Sequence, residues 1–159
     1  MGNKPTELGI ISDTHGLVRP DVQRALAGVE RIIHAGDAGK PGVLEALRTI
    51  APVTAVRGNV DYGDWAEALP ATEVVEAGAV SLYVLHVVEL LDLDPAAAGF
   101  AAVISGHSHR PSIEDKDGVL YLNPGAAGPR RFRLPTTVMR LRIEGGRLFP
   151  KLIHLEVEA

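Results

Sequence analysis

Five short apolar runs rich in β-branched residues recur along the chain, and each ends in a polar residue or is soon followed by one. Runs of this length and composition predict short buried strands. They are Leu8–Ser12, Arg31–His34, Val53–Val56, Ser81–Leu85 and Ala102–Ser105. Ligands bind at the carboxyl ends of the strands in open α/β sheets, so the polar residues at these run ends are expected to gather at one edge of a sheet.

Two segments between the first three runs carry apolar residues at helical spacing. Pro20–Ala27 begins with a proline, which favours the start of a helix, and Pro41–Thr49 repeats this arrangement. In the second segment, Val43, Leu44 and Leu47 form an apolar stripe. The resulting β-α-β-α-β order predicts a parallel sheet with right-handed crossovers.

The chain after residue 70 has the pattern of antiparallel strands. Thr72–Glu76 and Ala79–Leu85 are separated by Ala77-Gly78, which predicts a hairpin. Further strands are predicted at Val119–Asn123, Thr136–Ile143 and Arg147–Leu155, the last an edge strand or a bulged one because it contains Pro150. We therefore predict an α/β fold in one domain over residues 1–159, with two mixed sheets stacked face to face and helices on the outside.

Composition narrows the functional classes. The chain has 159 residues, of which 46% are hydrophobic and 23% charged, and its formal net charge is −4. This acidic balance argues against a protein that binds long nucleic acids through a broad basic face. No apolar run is long enough to cross a bilayer and the N-terminus lacks the layout of a signal peptide, so we expect a cytoplasmic protein without a membrane partner.

Seven potential metal ligands follow the predicted strands. They are Asp13, His15, Asp37, Asn59, His86, His107 and His109. The chain contains no cysteine, so the donors are carboxylate, imidazole and amide groups, which suit Mn²⁺, Zn²⁺, Fe²⁺ or Ni²⁺. Seven ligands exceed the needs of one tetrahedral ion, whereas two ions that share a carboxylate, roughly 3.5–4 Å apart, would use them all.

The candidate ligands lie in five ordered motifs. They are Ser12-Asp13-Thr14-His15-Gly16, His34-Ala35-Gly36-Asp37, Arg57-Gly58-Asn59-Val60-Asp61, Leu85-His86 and Gly106-His107-Ser108-His109. In this order they resemble the motifs of the calcineurin-like metallophosphoesterases, and most closely those of the small single-domain prokaryotic phosphodiesterase branch. Asn123-Pro124-Gly125 resembles a loop of the same branch. The resemblance implies a four-layer α/β/β/α sandwich fold. It also implies an enzyme that hydrolyses a small phosphodiester.

The resemblance also implies roles for the candidate ligands. Asp13, His15 and His109 would hold a first metal ion. Asn59, His86 and His107 would hold a second ion, and Asp37 would bridge the two. The family chemistry is an in-line attack on phosphorus by a hydroxide between the ions, so Asp37, Asn59 and His86 are the expected catalytic residues. Mn²⁺ is the first expectation for both ions, with Ni²⁺, Fe²⁺ or Zn²⁺ as alternatives.

Two departures from the family pattern affect these expectations. Many superfamily enzymes have a histidine after the Gly-Asn pair that is implicated in protonating the leaving group, and here this position is Val60. Asp61 is nearby, but it could equally orient a ligand or cap the turn. His86 is followed by Val87-Val88 where the family usually has glycine, and the stretch from there to His107 is short for the usual helix.

Several of these residues also have a purely structural alternative. Asp13 and Asp37 could cap helices or form turns, and Asn59 could adopt a left-handed turn after a glycine. His86 could be a buried histidine that hydrogen-bonds to backbone. His34 could support the ligands from behind or be a satisfied core histidine, and the sequence favours neither.

Other residues have two interpretations. Trp65, with Tyr62 ahead of it, could line a substrate pocket or anchor the core or an interface, whereas His154 is expected to be solvated. A basic loop could grip a phosphate, but an exposed loop or a subunit contact is favoured. Its arginines are Arg130, Arg131 and Arg133.

Three functions compete. The first is a metal-dependent phosphodiesterase for a small phosphorylated substrate, and a phosphomonoesterase with the same metal pair is the runner-up. The third is a protein-binding scaffold of the type seen in a retromer subunit that shares the family fold, but all seven ligand positions here carry competent side chains, which favours an enzyme. Edge strands near the C-terminus could pair subunits, so a homo-oligomer is an open expectation.

Overall fold

The computed structural model describes residues 4–130 and 133–156, which form two five-stranded mixed β-sheets that pack face to face. The strands, numbered along the chain, are β1 (Thr6–Ile11), β2 (Arg31–His34), β3 (Val53–Ala55), β4 (Thr72–Ala77), β5 (Val80–Leu85), β6 (Phe100–Ile104), β7 (Ser112–Lys116), β8 (Val119–Asn123), β9 (Thr137–Glu144) and β10 (Arg147–His154). The α-helices are α1 (Pro20–Ala25), α2 (Pro41–Arg48) and α3 (Asp64–Glu67).

The first sheet has the strand order β10-β9-β1-β2-β3. β1, β2 and β3 are parallel and are joined by α1 and α2, so the predicted β-α-β-α-β series is confirmed. β9 runs antiparallel to β1, and β10 pairs only with β9 within the described chain. Pro150 therefore lies on an edge strand, as its missing N–H predicts.

The second sheet has the order β4-β5-β6-β8-β7. β7 was absent from the prediction. Its residues are all exposed and show no apolar alternation, so only backbone pairing with β8 makes this segment an edge strand.

The main core fills the space between the two sheets. Ile10 of β1 and Met139 of β9 meet Leu82 of β5 and Ile104 of β6 there, and all four are fully buried. A second cluster joins the helices to the outer face of the first sheet. Its largest buried members are Ile11, Leu26, Ile32 and Leu47.

The outer face of the second sheet carries a thinner layer. The crossover from β5 to β6 forms a 3-10 turn at Val88–Leu90 and no α-helix among the residues described. Leu91 and Leu93 of this crossover pack against Tyr83 and Val103. The predicted α/β sandwich of two mixed sheets is confirmed, with a fourth layer reduced to this short segment. No helix in the described ranges has the length and apolar character needed to cross a membrane.

Candidate metal centre

The loops after β1, β2, β3, β5 and β6 bring all seven candidate ligands to one edge of the sandwich. Six of them fall into two groups of three, and the seventh, Asn59, contacts one of these groups through its side chain. The predicted gathering of polar residues at the carboxyl ends of the strands is therefore seen in the structure.

Asp13, His15 and His109 form the first cluster. One potential ligand atom from each lies within 4.8 Å of the other two. Nε2 of His109 is 3.4 Å from Oδ1 of Asp13 and 3.3 Å from Nε2 of His15. Asp13 is fully buried, whereas His15 keeps part of its ring at the surface. The three donor atoms are therefore close enough to bind one ion together.

Asp37, His86 and His107 form the second cluster, with the same 4.8 Å limit. Asn59 joins it, because its Oδ1 lies 3.1 Å from Nδ1 of His107. Asp37 and His86 are buried, but Asn59 and His107 are exposed. The second cluster is thus the side of the centre that faces solvent.

Asp37 lies between the two clusters. Its Oδ2 is 3.1 Å from Nε2 of His86 in its own cluster and 3.9 Å from Nε2 of His15 in the other. A carboxylate in this position can serve both clusters, which is the geometry that a shared ligand of two ions requires.

The buried donors fit a divalent cation. Oδ1 of Asp13 and Nε2 of His86 have no hydrogen-bond partner in the part of the chain described, since the 3.1 Å approach of His86 to Asp37 lacks hydrogen-bond alignment. Leaving such a group unsatisfied costs about 1–3 kcal/mol. A cation at each cluster would satisfy these two atoms, and oxygen and imidazole donors without thiolate suit a borderline divalent ion.

Each candidate carboxylate is anchored through one oxygen and presents the other to the centre. Oδ2 of Asp13 accepts the Ser12 hydroxyl at 2.7 Å and the His107 backbone N–H at 3.0 Å. Oδ1 of Asp37 accepts the Val60 backbone N–H at 3.0 Å. Such hydrogen bonds fix the direction of a ligand oxygen.

Backbone strain concentrates at the candidate ligands. Five of the seven have a positive φ, although none is glycine. They are Asp13 (54°), His15 (47°), Asp37 (60°), His107 (71°) and His109 (63°). In the described chain Asp117, in the turn after β7, is the other non-glycine residue of this kind. Positive φ is uncommon for any residue except glycine, although Asp and His tolerate it better than most, and its concentration at one site points to function.

Three glycines permit the ligands to approach one another. A Cβ on Gly36 would collide with the His86 ring, and one on Gly58 would collide with the Asp37 carboxylate and backbone. A Cβ on Gly106 would collide with Ser12 and Asp13. The glycines in the motifs are therefore required by close packing, and Gly36 also has a φ of 105°.

The orientation of His86 is set by its second nitrogen. Nδ1 lies 2.7 Å from the carbonyl oxygen of Ala35, to which only a protonated nitrogen can donate. Nε2 is thereby aimed at Asp37, with its lone pair available whenever the ring is neutral. This pairing with a backbone carbonyl is typical of histidines that bind metals.

His34 links two ligand loops from behind. The Gly36 N–H donates to its Nδ1 at 3.1 Å, so Nε2 carries the proton and donates to the Thr14 hydroxyl at 2.9 Å. Thr14 in turn donates to the Ala38 carbonyl at 3.1 Å. Complete burial lowers the pKa of His34 to about 4, so the ring is neutral at physiological pH. Of the two interpretations, the structure favours support of the ligand loops.

Asp61 ties the Asp37 loop to the Asn59 loop. Its Oδ2 accepts the backbone N–H groups of Asp37 at 3.1 Å and Gly58 at 2.8 Å, and its Oδ1 accepts that of Gly39 at 2.9 Å. The side chain is buried and both oxygens are occupied by these bonds. Asp61 therefore orients ligands and is a poor candidate for a proton donor.

Asn123 performs the same task for the histidine pair. Its Nδ2 donates to the carbonyl of Gly106 at 3.0 Å and to the hydroxyl of Ser108 at 3.2 Å. Its Oδ1 accepts the Gly125 N–H at 2.9 Å. The Asn-Pro-Gly motif could be recognised in the sequence, but its contact with this loop could not.

Electrostatics favour a cation at the centre. Burial acts to raise the pKa of Asp13 and of Asp37, but neighbouring groups outweigh it, chiefly His15 for Asp13 and His86 for Asp37, so both pKa values lie below the ordinary range. Burial acts to lower the pKa of His86, but the two carboxylates raise it above its usual value. A metal ion and a proton would therefore compete for Nε2 of His86.

The remaining candidates lie apart from these donors. Trp65 is partly buried against the helix cluster, which supports a core role, and Tyr62 is 74% exposed. His154 is exposed, as expected. Arg130 donates to the carbonyl of Leu134 within its own exposed loop, and Arg131 lies outside the described residues. No role in phosphate binding is apparent for this loop in the described part of the chain.

Comparison with known proteins connects this geometry to one family. Residues 7–146 match the family model of the calcineurin-like phosphoesterase superfamily domain. The chain is 35% identical to a probable metallophosphoesterase of Methanocaldococcus jannaschii, over 94% of this chain and 81% of that protein. A phosphodiesterase of the same organism is 27% identical over 75% of this chain and 82% of its own length.

The fold also resembles solved structures. Vacuolar protein sorting 29 from Cryptosporidium parvum superposes with a TM-score of 0.76 over 98% of this chain and all of the other. Sequence identity is 18%, so this likeness concerns the fold alone.

Proposed function

Because the chain belongs to the calcineurin-like phosphoesterase superfamily, we propose that it is a metal-dependent phosphodiesterase that hydrolyses small phosphodiesters. The observation that carries this proposal is the pair of adjoining clusters with Asp37 between them. A second observation supports the proposal: Oδ1 of Asp13 and Nε2 of His86 are buried and have no hydrogen-bond partner among the described residues. The relative named as a phosphodiesterase favours a diester over the runner-up, a phosphomonoester.

Asp13, His15 and His109 would hold one divalent ion, and Asn59, His86 and His107 would hold the other, with Asp37 shared. Mn²⁺ is the first expectation, with Ni²⁺, Fe²⁺ and Zn²⁺ as alternatives, since all accept imidazole and carboxylate donors. When bound, such a pair supplies the Lewis acidity and the positive charge that phosphoric ester hydrolysis needs.

The residues of the chain position the reaction. Hydrogen bonds hold the carboxylates of Asp13 and Asp37 in place. They come from the Ser12 hydroxyl and from the backbone N–H groups of Val60 and His107. The carboxylates therefore need not reorient when a substrate binds. Asn59 and His107 are exposed, so a phosphate would approach from the side of the second cluster. No general acid is assigned, because Val60 replaces the usual histidine and Asp61 is occupied by three N–H donors. Diesters with good leaving groups are therefore the favoured test substrates.

The test is hydrolysis of bis(p-nitrophenyl) phosphate by metal-stripped protein to which Mn²⁺, Ni²⁺ or Zn²⁺ is returned. p-Nitrophenyl phosphate is run in parallel. We expect metal-restored turnover of the diester that Asp37→Asn abolishes. The matched control is Asp117→Asn, which removes another aspartate of positive φ from a turn far along the chain and should leave turnover intact.

Turnover that persists in Asp37→Asn would refute the shared-ligand role. Faster turnover of the monoester than of the diester would favour the phosphomonoesterase. Absence of turnover with every metal in a folded protein would favour a protein-binding scaffold instead, a function for which the fold is suited but which the complete ligand set disfavours.

A further inference from the structure

A cavity of about 420 Å³ opens beside the second cluster, between the loops that follow β3 and β5. Asn59 and His86 form part of its wall, so the cavity adjoins the candidate metal centre. A ligand whose phosphate reached the second cluster would place a neighbouring group in this cavity. Its volume lies within the range of small-molecule sites.

The walls of the cavity are largely apolar. Tyr83 and Leu85 contribute from β5, and Val87 and Leu90 contribute from the thin outer layer. Leu90 is 73% exposed, although it is a large aliphatic side chain. A single exposed leucine is ordinary, but this one extends an apolar surface that begins inside the cavity. The surface suits a flat, uncharged group.

Arg57 adds a positive charge to the same wall. Its side chain is half-buried, and within the described ranges its guanidinium has no hydrogen bond or ion pair, since only its backbone N–H is engaged, with Pro70. A half-buried cation two positions from Asn59 is suited to a phosphate oxygen. The wall also includes Asp92, which disfavours a second anionic group.

A second cavity near His107 is a weaker candidate. It has about half the volume, 220 Å³, and its walls carry two carboxylates, Glu89 and Glu114, against one cation, Lys116, which pairs with Glu114. The net negative charge disfavours a phosphate ester. Of the two cavities, the one beside Arg57 is therefore the better match to an organic group attached to a phosphate.

On the premise of the proposed function, we infer that the cavity lined by Arg57, Tyr83, Leu85 and Leu90 binds one organic group of the phosphodiester. Arg57 pairs with a phosphate oxygen, and the apolar wall selects an aromatic or nucleoside group over a small alkyl group. The site therefore distinguishes diesters by the group next to the phosphate, independently of the leaving group.

The first test uses three p-nitrophenyl diesters with the same leaving group, in which the other ester group is methyl, phenyl or thymidine 5′. The Mn²⁺-loaded full chain should show a kcat/KM for the phenyl or thymidine ester that exceeds the methyl ester about tenfold or more, because a ring buries far more apolar area than a methyl group. Leu90→Ser should reduce this ratio at least about threefold. Leu90 is exposed, so the variant is expected to fold, and Ile113→Ser is the control at an exposed position outside the cavity.

The second test measures binding without hydrolysis. Diphenylphosphinate and dimethylphosphinate resist hydrolysis and can be titrated calorimetrically into the wild-type chain and its variants. Diphenylphosphinate should bind about tenfold tighter, Leu90→Ser should narrow the difference, and Arg57→Gln should weaken both ligands.

The outcomes separate the two proposals. Equal kcat/KM values for the three esters in an active enzyme would overturn the cavity assignment and leave the phosphodiesterase intact. If no diester is hydrolysed, the proposed function fails, and the phosphinate titration alone decides whether the cavity binds an aromatic group beside a phosphorus anion. Equal affinity for the two phosphinates would overturn it.

Discussion

The carboxylate of Asp61 accepts a hydrogen bond from the backbone N–H of Asp37, with 3.1 Å between Oδ2 and the nitrogen. Asp37 adopts a left-handed φ of 60°, so this contact helps to hold a strained residue at the junction of the two clusters. The same carboxylate also accepts the N–H groups of Gly58 and Gly39. One buried side chain thus fixes two loops that carry candidate ligands.

Replacement of Asp61 by asparagine is expected to weaken metal binding without unfolding the chain. The amide NH₂ group of Asn cannot accept a hydrogen bond, so at least one of the three N–H donors loses its partner and the Asp37 loop relaxes. Loss of a group that orients a ligand typically costs 10–100-fold in metal affinity. Titration of Mn²⁺ into metal-free Asp61→Asn by calorimetry measures the effect, with circular dichroism as the check on folding.

Asp64→Asn is the control for this prediction, because Asp64 is an exposed aspartate at the start of α3. It should bind Mn²⁺ as the wild-type chain does. Wild-type affinity in Asp61→Asn as well would show that the Asp37 loop holds its conformation without Asp61.

Gly58→Ala is expected to reduce diester turnover, although replacing glycine by alanine adds only one methyl group. The added Cβ would collide with the carboxylate and the backbone nitrogen of Asp37, so this side chain, the proposed shared ligand, must move. We expect a loss of diester turnover of at least about tenfold, because small displacements of catalytic groups cost this much or more. Steady-state kinetics with bis(p-nitrophenyl) phosphate measures it.

Gly42→Ala is the matched glycine variant. A Cβ at Gly42, in α2, has no atom within 4 Å, and alanine in a helix is favoured over glycine by up to about 1 kcal/mol. This variant should keep full activity and show an equal or higher free energy of unfolding. Equal turnover in the two glycine variants would contradict the steric role of Gly58.

The gathering of the candidate ligands at one edge was predictable from the sequence because each lies within five positions of the end of a strand. Asp13 follows β1, Asp37 follows β2 and His86 follows β5 directly, so strand ends and side-chain chemistry were enough to find them. The left-handed φ at Asp13 and Asp37 was not predicted, since the strain depends on the contacts that hold it.

The sequence left the role of Asp61 open between orienting a ligand and capping a turn, and it showed that the segment after His86 is short for a helix, but it could not reveal the contacts of the supporting residues. The role of Asp61 depends on N–H groups contributed by a loop 22 to 24 positions away, and that of Asn123 on one 15 to 17 positions away. β7 has no apolar pattern because both of its faces are exposed. A strand defined only by backbone pairing leaves no periodic signal.

The stability of the metal-free protein is expected to fall as pH decreases from about 7 to about 4.5, because of His34. The pKa of this histidine is about 4 in the folded chain and 6.5 when unperturbed, so the unfolded state binds the proton first. Protonation would place a second N–H against the Gly36 N–H, which now donates to Nδ1. The full pKa shift corresponds to about 3 kcal/mol in the free energy of unfolding. This stabilisation is present above pH 6.5 and is lost as pH falls towards 4.

Urea unfolding in EDTA at several pH values measures this dependence. His34→Gln, which has no titrating group, should be less stable at pH 7 but should show a flatter dependence between pH 6.5 and 4.5. His154→Gln removes an exposed histidine and should retain the wild-type slope. A slope that survives in His34→Gln would assign the pH dependence to other groups. Asp13 and Asp37 have lowered pKa values, so they affect the pH dependence of stability mainly below pH 4.5.

Val60→His is expected to help poor leaving groups more than good ones. Val60 is half-buried beside the centre, and its backbone N–H already donates to Asp37, so an imidazole at this position would lie near the reacting phosphate. A proton donor accelerates departure of a basic alcohol but adds little for p-nitrophenolate. We expect kcat for methyl phenyl phosphate to rise about tenfold or more and kcat for methyl p-nitrophenyl phosphate to change little.

Tyr62→His, which adds a histidine at a 74% exposed position two residues away, should change neither kcat value. Equal acceleration of both esters by Val60→His would mean that the missing proton donor does not belong at position 60.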